Sequence, residues 1–165
     1  MKKALFLDRD GIINRELGDY VTHPDQFILN PGIAEAIKYA NENGCLVIVI
    51  TNQGGIAKGL YTEETLENIH EKMKMLLLNE GAKIDAIYHC PHHPDISGQC
   101  LCRKPGSLLI EKAIKHYHIN IAESIMVGDR DRDLEAAAAC EIKGVLIEDN
   151  NTINLLELLL TYGFL

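Results

Sequence analysis

The sequence predicts an α/β fold: an open, parallel sheet covered by helices on both faces. Three observations lead there. Short runs rich in Val, Ile and Leu are apolar on both faces, as buried parallel strands are. They alternate with longer segments of helical periodicity that carry caps. Polar, ionisable and small residues gather directly after the strands, where such sheets bind ligands.

In chain order the predicted strands are Ala4–Leu7, Cys45–Ile50, Ile84–His89, Ser124–Val127 and Gly144–Ile147. The predicted helices lie between them. The segment Pro31–Asn43 opens with Pro at the first helical position and stops at Gly44. In Thr62–Glu80, Thr62 is the cap, Glu63 and Glu64 fill the first turn, and Gly81 follows the end. Its apolar residues Leu66, Ile69, Met73, Leu76 and Leu77 keep helical spacing. Pro105–His118, Asp133–Glu141 and Thr152–Leu160 complete the set. Strands alternating with helices imply parallel crossovers and a Rossmann-like layering.

The 165 residues suit one domain, 1–165, large enough to bury about 70% of the surface of its unfolded chain. With 47% apolar and 24% charged residues, the core needs neither metal nor disulfide, so any metal asks for a local reason. A net charge of −8 argues against a broad nucleic-acid footprint or an anionic membrane partner, and leaves room for a phosphorylated small molecule. The apolar run Ala4–Leu7 meets Asp8 at once, too short for a signal-peptide core, and no stretch of 18 apolar residues exists. A cytoplasmic monomer is expected, in a compartment where clustered cysteines favour metal or catalysis over disulfides.

The residues after the strands form one chemical set. After the first strand stands Asp8-Arg9-Asp10-Gly11; after the second, Thr51-Asn52-Gln53-Gly54-Gly55. A Cys/His stretch ending in Arg103-Lys104-Pro105 follows the third, and Gly128-Asp129-Arg130-Asp131-Arg132-Asp133 the fourth. Carboxylates from two strands can hold a hard cation such as Mg²⁺, which takes one or two carboxylates, waters and a substrate phosphate. A carboxylate can also attack phosphorus, and the second Asp of an Asp-x-Asp pair can protonate the leaving oxygen and later activate water. The Thr51 hydroxyl and Lys104 ammonium can hold phosphate oxygens. Taken singly, each stretch also reads as a turn or a solvated helix start; their joint order sets them apart.

That order resembles the haloacid dehalogenase-like phosphohydrolase superfamily over almost the whole chain. The resemblance implies Asp8 as nucleophile, Asp10 as general acid/base, and Thr51 and Lys104 as phosphate ligands. It implies Mg²⁺ held by Asp8, the backbone carbonyl of Asp10, and Asp129, with Asp133 behind. Ile12 stands where the first motif usually has Thr or Val.

The stretch Tyr88–Gly106 packs three of five cysteines and three of seven histidines into one loop. Cys90, His92, Cys100 and Cys102 make a Cys₃His set suited to tetrahedral zinc. Disulfides are the competing reading, but a Cys100–Cys102 bond needs strained geometry and longer pairings fit cytosol poorly. His89 in the strand and His93 fall outside the four; Cys45 and Cys140 read as core. The pattern CPHHP…CLCRKP resembles the zinc-loop branch of the superfamily, which contains heptose 1,7-bisphosphate 7-phosphatases and histidinol-phosphate phosphatases. TNQGGIAKG and LDRDGIIN…DYV are closer to the heptose members, although Gly54 stands where those commonly have Ser and Arg130 where Lys is common. The resemblance implies a structural zinc loop at about 89–104 that delivers Arg103 and Lys104. It also implies a phosphatase without a separate cap domain, because Gly11–Asn30 is room for a flap only. Asn52, Gln53, Arg103 and Arg130 are the expected contacts to sugar hydroxyls or a second phosphate. A phosphoryl-receiver domain is disfavoured by the motif order. A zinc-ribbon nucleic-acid module is disfavoured by the charge and the single Cys/His loop, and a nucleic-acid 3′-phosphatase would show a basic groove.

Overall fold

The computed structural model describes all 165 residues. Five parallel strands form one sheet in the order β3-β2-β1-β4-β5: β1 Ala4–Leu7, β2 Leu46–Asn52, β3 Ala86–Cys90, β4 Ile125–Gly128 and β5 Lys143–Leu146. Six helices flank it: α1 Ile33–Glu42, α2 Glu63–Asn79, α3 Pro94–Ser97, α4 Leu108–Tyr117, α5 Asp131–Ala139 and α6 Leu155–Thr161. Between β1 and α1 the chain carries only a 3₁₀ turn at Pro24–Gln26 and isolated bridges, so no cap domain is inserted there.

Strand alternation divides the core into two halves. Leu5, Leu7, Val47, Val49, Ile125 and Val127 face one side, under α1, α2 and α6. Ala4, Phe6, Leu46, Ile48, Ile50 and Met126 face the other, under α4 and α5. Cys45 sits in the first half and Cys140 packs against the second, as read from the sequence. The chain moves outward from β1 through β2 to β3, then returns to build β4 and β5 on the opposite side. The order reverses between β1 and β4, and the carboxyl ends of the strands flanking this switch point open the cleft.

All five predicted strands and five predicted helices are present, with shifted ends. The edge strands differ most: β5 has one fully buried residue, Val145, and β3 is buried only at Cys90. Apolar sequence at these edges is covered on one side only. Helix α4 starts at Leu108 rather than Pro105, because Arg103–Gly106 turns back on itself through the Gly106 N–H bond to the Arg103 carbonyl. The short α3 lies inside the Cys/His loop, capped by His93, whose Nδ1 accepts from the Asp95 amide at 3.3 Å.

One buried hydroxyl anchors the central strand. Ser124 Oγ accepts from the Ala4 amide at 3.0 Å and donates to the Asn120 carbonyl at 2.6 Å. Ser124→Ala strands that amide at the start of β1, and the expected loss is about 1–3 kcal/mol, read from the urea midpoint with an unchanged slope.

Candidate active site

The cleft beyond the strand ends encloses a cavity of about 480 Å³, in whose lining Tyr20 is the sole apolar side chain. Its floor holds Asp8, Asp10 and Asp129. One wall is the Glu16–Tyr20 segment; Arg130, Arg132 and Asp149 form another. The Cys/His loop contributes Arg103, and Asn52 and Gly54 line the cavity beside it.

Beneath the floor lies a buried charge cluster. Lys104, 2% exposed, places Nζ 2.7 Å from Asp8 Oδ1, 2.7 Å from Asp133 Oδ1 and 2.7 Å from the Ile50 carbonyl. Burial alone would lower its pKa, but the two carboxylates outweigh that and raise it, so the ammonium stays charged. Burial, with Asp133 and Asp129 beside it, pushes the Asp8 carboxyl up to about 7 against the opposing pull of Lys104. Burial also raises Asp129. Two glycines permit this crowding. Gly11 has φ +85°, and a Cβ there would run into the Asp129 carboxylate; a Cβ on Gly128 would meet that of Asp133.

Asp8, Asp129 and Asp133 offer ligand atoms within 4.8 Å of one another. Three carboxylates against one ammonium leave an excess of two negative charges when ionised. Asp129 Oδ1 is buried without a hydrogen-bond partner. An unpartnered hard oxygen and that charge imbalance fit a divalent cation such as Mg²⁺. Asp133 also accepts from the Arg130 amide at 3.1 Å, capping α5, so it supports the cluster from behind.

Asp10 is held by a separate network. Its Oδ1 accepts from Arg9 Nη2 at 2.8 Å and Asn14 Nδ2 at 2.9 Å; its Oδ2 accepts from Gln53 Nε2 at 3.1 Å. Burial would raise its pKa, yet the Arg9 charge and these hydrogen bonds hold the carboxyl below the ordinary range. Gln53 also donates to Thr51 Oγ1 at 2.9 Å and accepts from Tyr61 Oη. Gln53 therefore corrects an expectation: it is 1% exposed, its amide is consumed inside the protein, and it is a brace for Asp10 and Thr51 rather than a sugar contact. Asn52 lines the cavity but spends both ends of its amide on the Lys104 backbone, at 2.9 and 3.2 Å. Arg103 and Arg130 stand at the rim. Arg103 donates to the His92 carbonyl at 3.2 Å, and Arg130 lies 3.7 Å from Asp129. A Cβ on Gly54 would crowd the Arg103 guanidinium, so glycine there gives that arginine its place.

Cys90, His92, Cys100 and Cys102 converge, and all their cysteines are free. Two sulfur pairs lie 3.7 Å apart and His92 Nδ1 is 3.3–3.6 Å from two of the sulfurs. A tetrahedron with 2.3 Å Zn–S bonds has edges of about 3.8 Å. The Cys90–Cys102 edge, 2.6 Å, has to widen to match. Soft donors at these spacings fit zinc. The other two histidines of the loop are engaged elsewhere: His89 binds Glu63 at 2.7 Å, and His93 caps α3.

Sequence reasoning missed Arg9, Asn14, Tyr61, His70 and Asp149. His70 carried a signal: it is one of the residues Leu66, Ile69, His70, Met73 and Leu77 that α2 buries, so helical spacing puts it on the core face.

A HAD-hydrolase-like family model matches residues 101–155. The chain is 41% identical, over 147 residues, to the D-glycero-beta-D-manno-heptose-1,7-bisphosphate 7-phosphatase of Haemophilus ducreyi, covering 86% of this chain and 80% of that one. It is 40% identical over 144 residues to the enzyme of that name from Escherichia coli K12, covering 84% and 75%. Its fold is similar to the crystal structure of D,D-heptose 1,7-bisphosphate phosphatase from B. bronchiseptica complexed with magnesium and phosphate. That match has a TM-score of 0.85 and 37% identity, over 94% of this chain and 86% of that one.

The site predicts a pH signature. Burial and the Arg9 charge lower His70 from 6.5 to about 3. The unfolded chain therefore binds one more proton between those values. His70's contribution to stability is complete above pH 6.5 and is lost as pH falls toward 3. Urea unfolding across that range should show the wild type losing stability faster on acidification than His70→Gln; parallel curves would contradict the assignment.

Proposed function

The chain belongs to the haloacid dehalogenase-like phosphohydrolases, with the D-glycero-D-manno-heptose-1,7-bisphosphate 7-phosphatases, and on that premise we propose that it removes the 7-phosphate of this sugar bisphosphate, as the β anomer, in nucleotide-activated heptose biosynthesis. The observation that carries the reading is Asp8 at the cavity floor with one oxygen on Lys104 and Asp10 beside it.

An Asp8 oxygen attacks phosphorus, and the bond from phosphorus to the C7 oxygen breaks. The negative charge of the bound phosphate raises Asp10 above its resting value, so Asp10 takes up a proton as substrate binds and gives it to that oxygen, which leaves as the alcohol. Asp10, now ionised, takes a proton from water as the water attacks the phosphorus of the aspartyl phosphate. The phosphorus–Asp8 bond breaks, and inorganic phosphate and free Asp8 are restored. The Thr51 hydroxyl donates to a phosphoryl oxygen, and the Lys104 charge beside Asp8 offsets negative charge on the phosphoryl group through both steps. Mg²⁺ would be held by Asp8, the Asp10 carbonyl and Asp129, and when bound it neutralises charge on the transferring phosphoryl group. Arg103 and Arg130 suit the 1-phosphate, because guanidinium binds phosphate with paired hydrogen bonds.

Cys90, His92, Cys100 and Cys102 would hold zinc as a structural ion, since four protein ligands would leave no open position for water. Its effect is to fix the chain just before Arg103 and Lys104. The three thiol donors persist best in a reducing compartment, which fits a cytoplasmic protein. One protomer supplies every residue of this site.

The test is phosphate release with Mg²⁺ from both heptose 1,7-bisphosphate anomers, histidinol phosphate and a 3′-phosphorylated oligonucleotide. The expected result is strong preference for the β bisphosphate and loss of at least about 10³-fold in Asp8→Asn. Preference for another compound would overturn the substrate, and phosphate retained on the protein without turnover would mark a receiver domain. Cys102→Ala should lose bound zinc and lower kcat by about tenfold or more, while the urea midpoint moves little. Full turnover without zinc would contradict the delivery role.

A further inference from the structure

Arg9 is the largest side chain fully buried in the protein, at 0% exposure. A buried guanidinium is costly unless paired and hydrogen-bonded. Its charge partner is Asp10, 2.8 Å from Nη2. Its Nη1 lies 3.2 Å from His70 Nε2, in the middle of α2, and its guanidinium lies 5.9 Å from the Phe27 ring centre. Nε has no partner. Two contacts thus set where this cation points, one to the carboxylate and one to an imidazole.

The imidazole has to accept, because every guanidinium nitrogen donates. His70 is therefore neutral with its proton on Nδ1, consistent with burial and the Arg9 charge lowering it to about 3. No step proposed above uses His70, and it lines a separate groove rather than the catalytic cavity.

We infer that His70 is a positioning residue for the phosphatase reaction: by accepting from Arg9 Nη1 it aims Nη2 at Asp10 Oδ1 and fixes the rotamer from which Asp10 reaches the leaving oxygen. The inference rests on Asp10 being the general acid/base. Arg9 transfers no proton; it orients the group that does. Loss of the acceptor frees Nη1 to seek another partner and lets Asp10 drift, and small displacements of a proton donor are expensive to rate.

The experiment compares 4-nitrobenzyl phosphate with 4-nitrophenyl phosphate. The first expels an alkoxide that needs a proton, and the second a phenolate stable without one. The ratio kcat/KM covers steps up to phosphoryl transfer, so it reports Asp10 as acid only. His70→Leu should lower kcat/KM on the benzyl ester by about tenfold or more and on the phenyl ester by less than about twofold. His70→Gln, which keeps an acceptor, should restore most of the benzyl activity. Equal loss on both esters in His70→Leu, or no loss on either, would overturn the inference; so would a His70→Gln no better than His70→Leu. Asp10→Asn separates the two layers. If it fails to show the benzyl-selective loss, the acid/base reading itself falls; if it shows that loss and His70→Leu does not, only the positioning role falls.

Discussion

The fold has to keep Asp8, Asp129 and Asp133 together under a polar cleft, and one ammonium makes that possible. Lys104 lies between Asp8 and Asp133 with its third donor on the Ile50 carbonyl. Removing one partner of such a buried pair typically costs about 3–5 kcal/mol, because the remaining charge is stranded. Asp129 Oδ1 still has no hydrogen-bond partner, so the cluster is stable enough to fold and still short of positive charge. A divalent ion and an anionic phosphoryl group together complete it.

Lys104 does not come from a strand. It comes from a loop of irregular backbone that would be expensive to hold in one conformation. Two devices hold it: Asn52 at the end of β2 clamps the Lys104 backbone, and the Cys₃His set gathers the chain just before it. The sheet fixes Asp8, Thr51 and Asp129 through paired strand ends, while the loop fixes Lys104 and Arg103 through side chains. Catalytic geometry in this protein thus depends on a rigid parallel sheet and a locally stapled loop meeting at the switch point between β1 and β4.

Much of this was legible in the sequence because it is local. Strands such as Ala4–Leu7 declare themselves by composition, α2 by Thr62 and its apolar spacing, and the acidic residues by their place after strands. Edge strands β3 and β5 misread as fully buried because an apolar run does not say whether a neighbour exists on each side. Gln53 misread as a substrate contact because a polar residue after a strand looks available; only the fold shows Tyr61, Thr51 and Asp10 using up its amide. Arg9, between two aspartates, looks solvated and is wholly buried. Its partner His70 is 61 positions away. Networks of that kind are made by tertiary contact, and no spacing rule announces them.

The account stands on Asp8 as the atom that accepts phosphorus. The most direct measurement is acid-quenched peptide mass spectrometry of the protein mixed with Mg²⁺ and 4-nitrophenyl phosphate, whose phenolate leaves without a proton, in wild type and Asp10→Asn. The account predicts a phosphoryl group on Asp8, transient in the wild type and accumulating in Asp10→Asn, where water is no longer activated. Inorganic phosphate released with no phosphorylated Asp8 at any time in either protein, or a phosphoryl group on another residue, would contradict it.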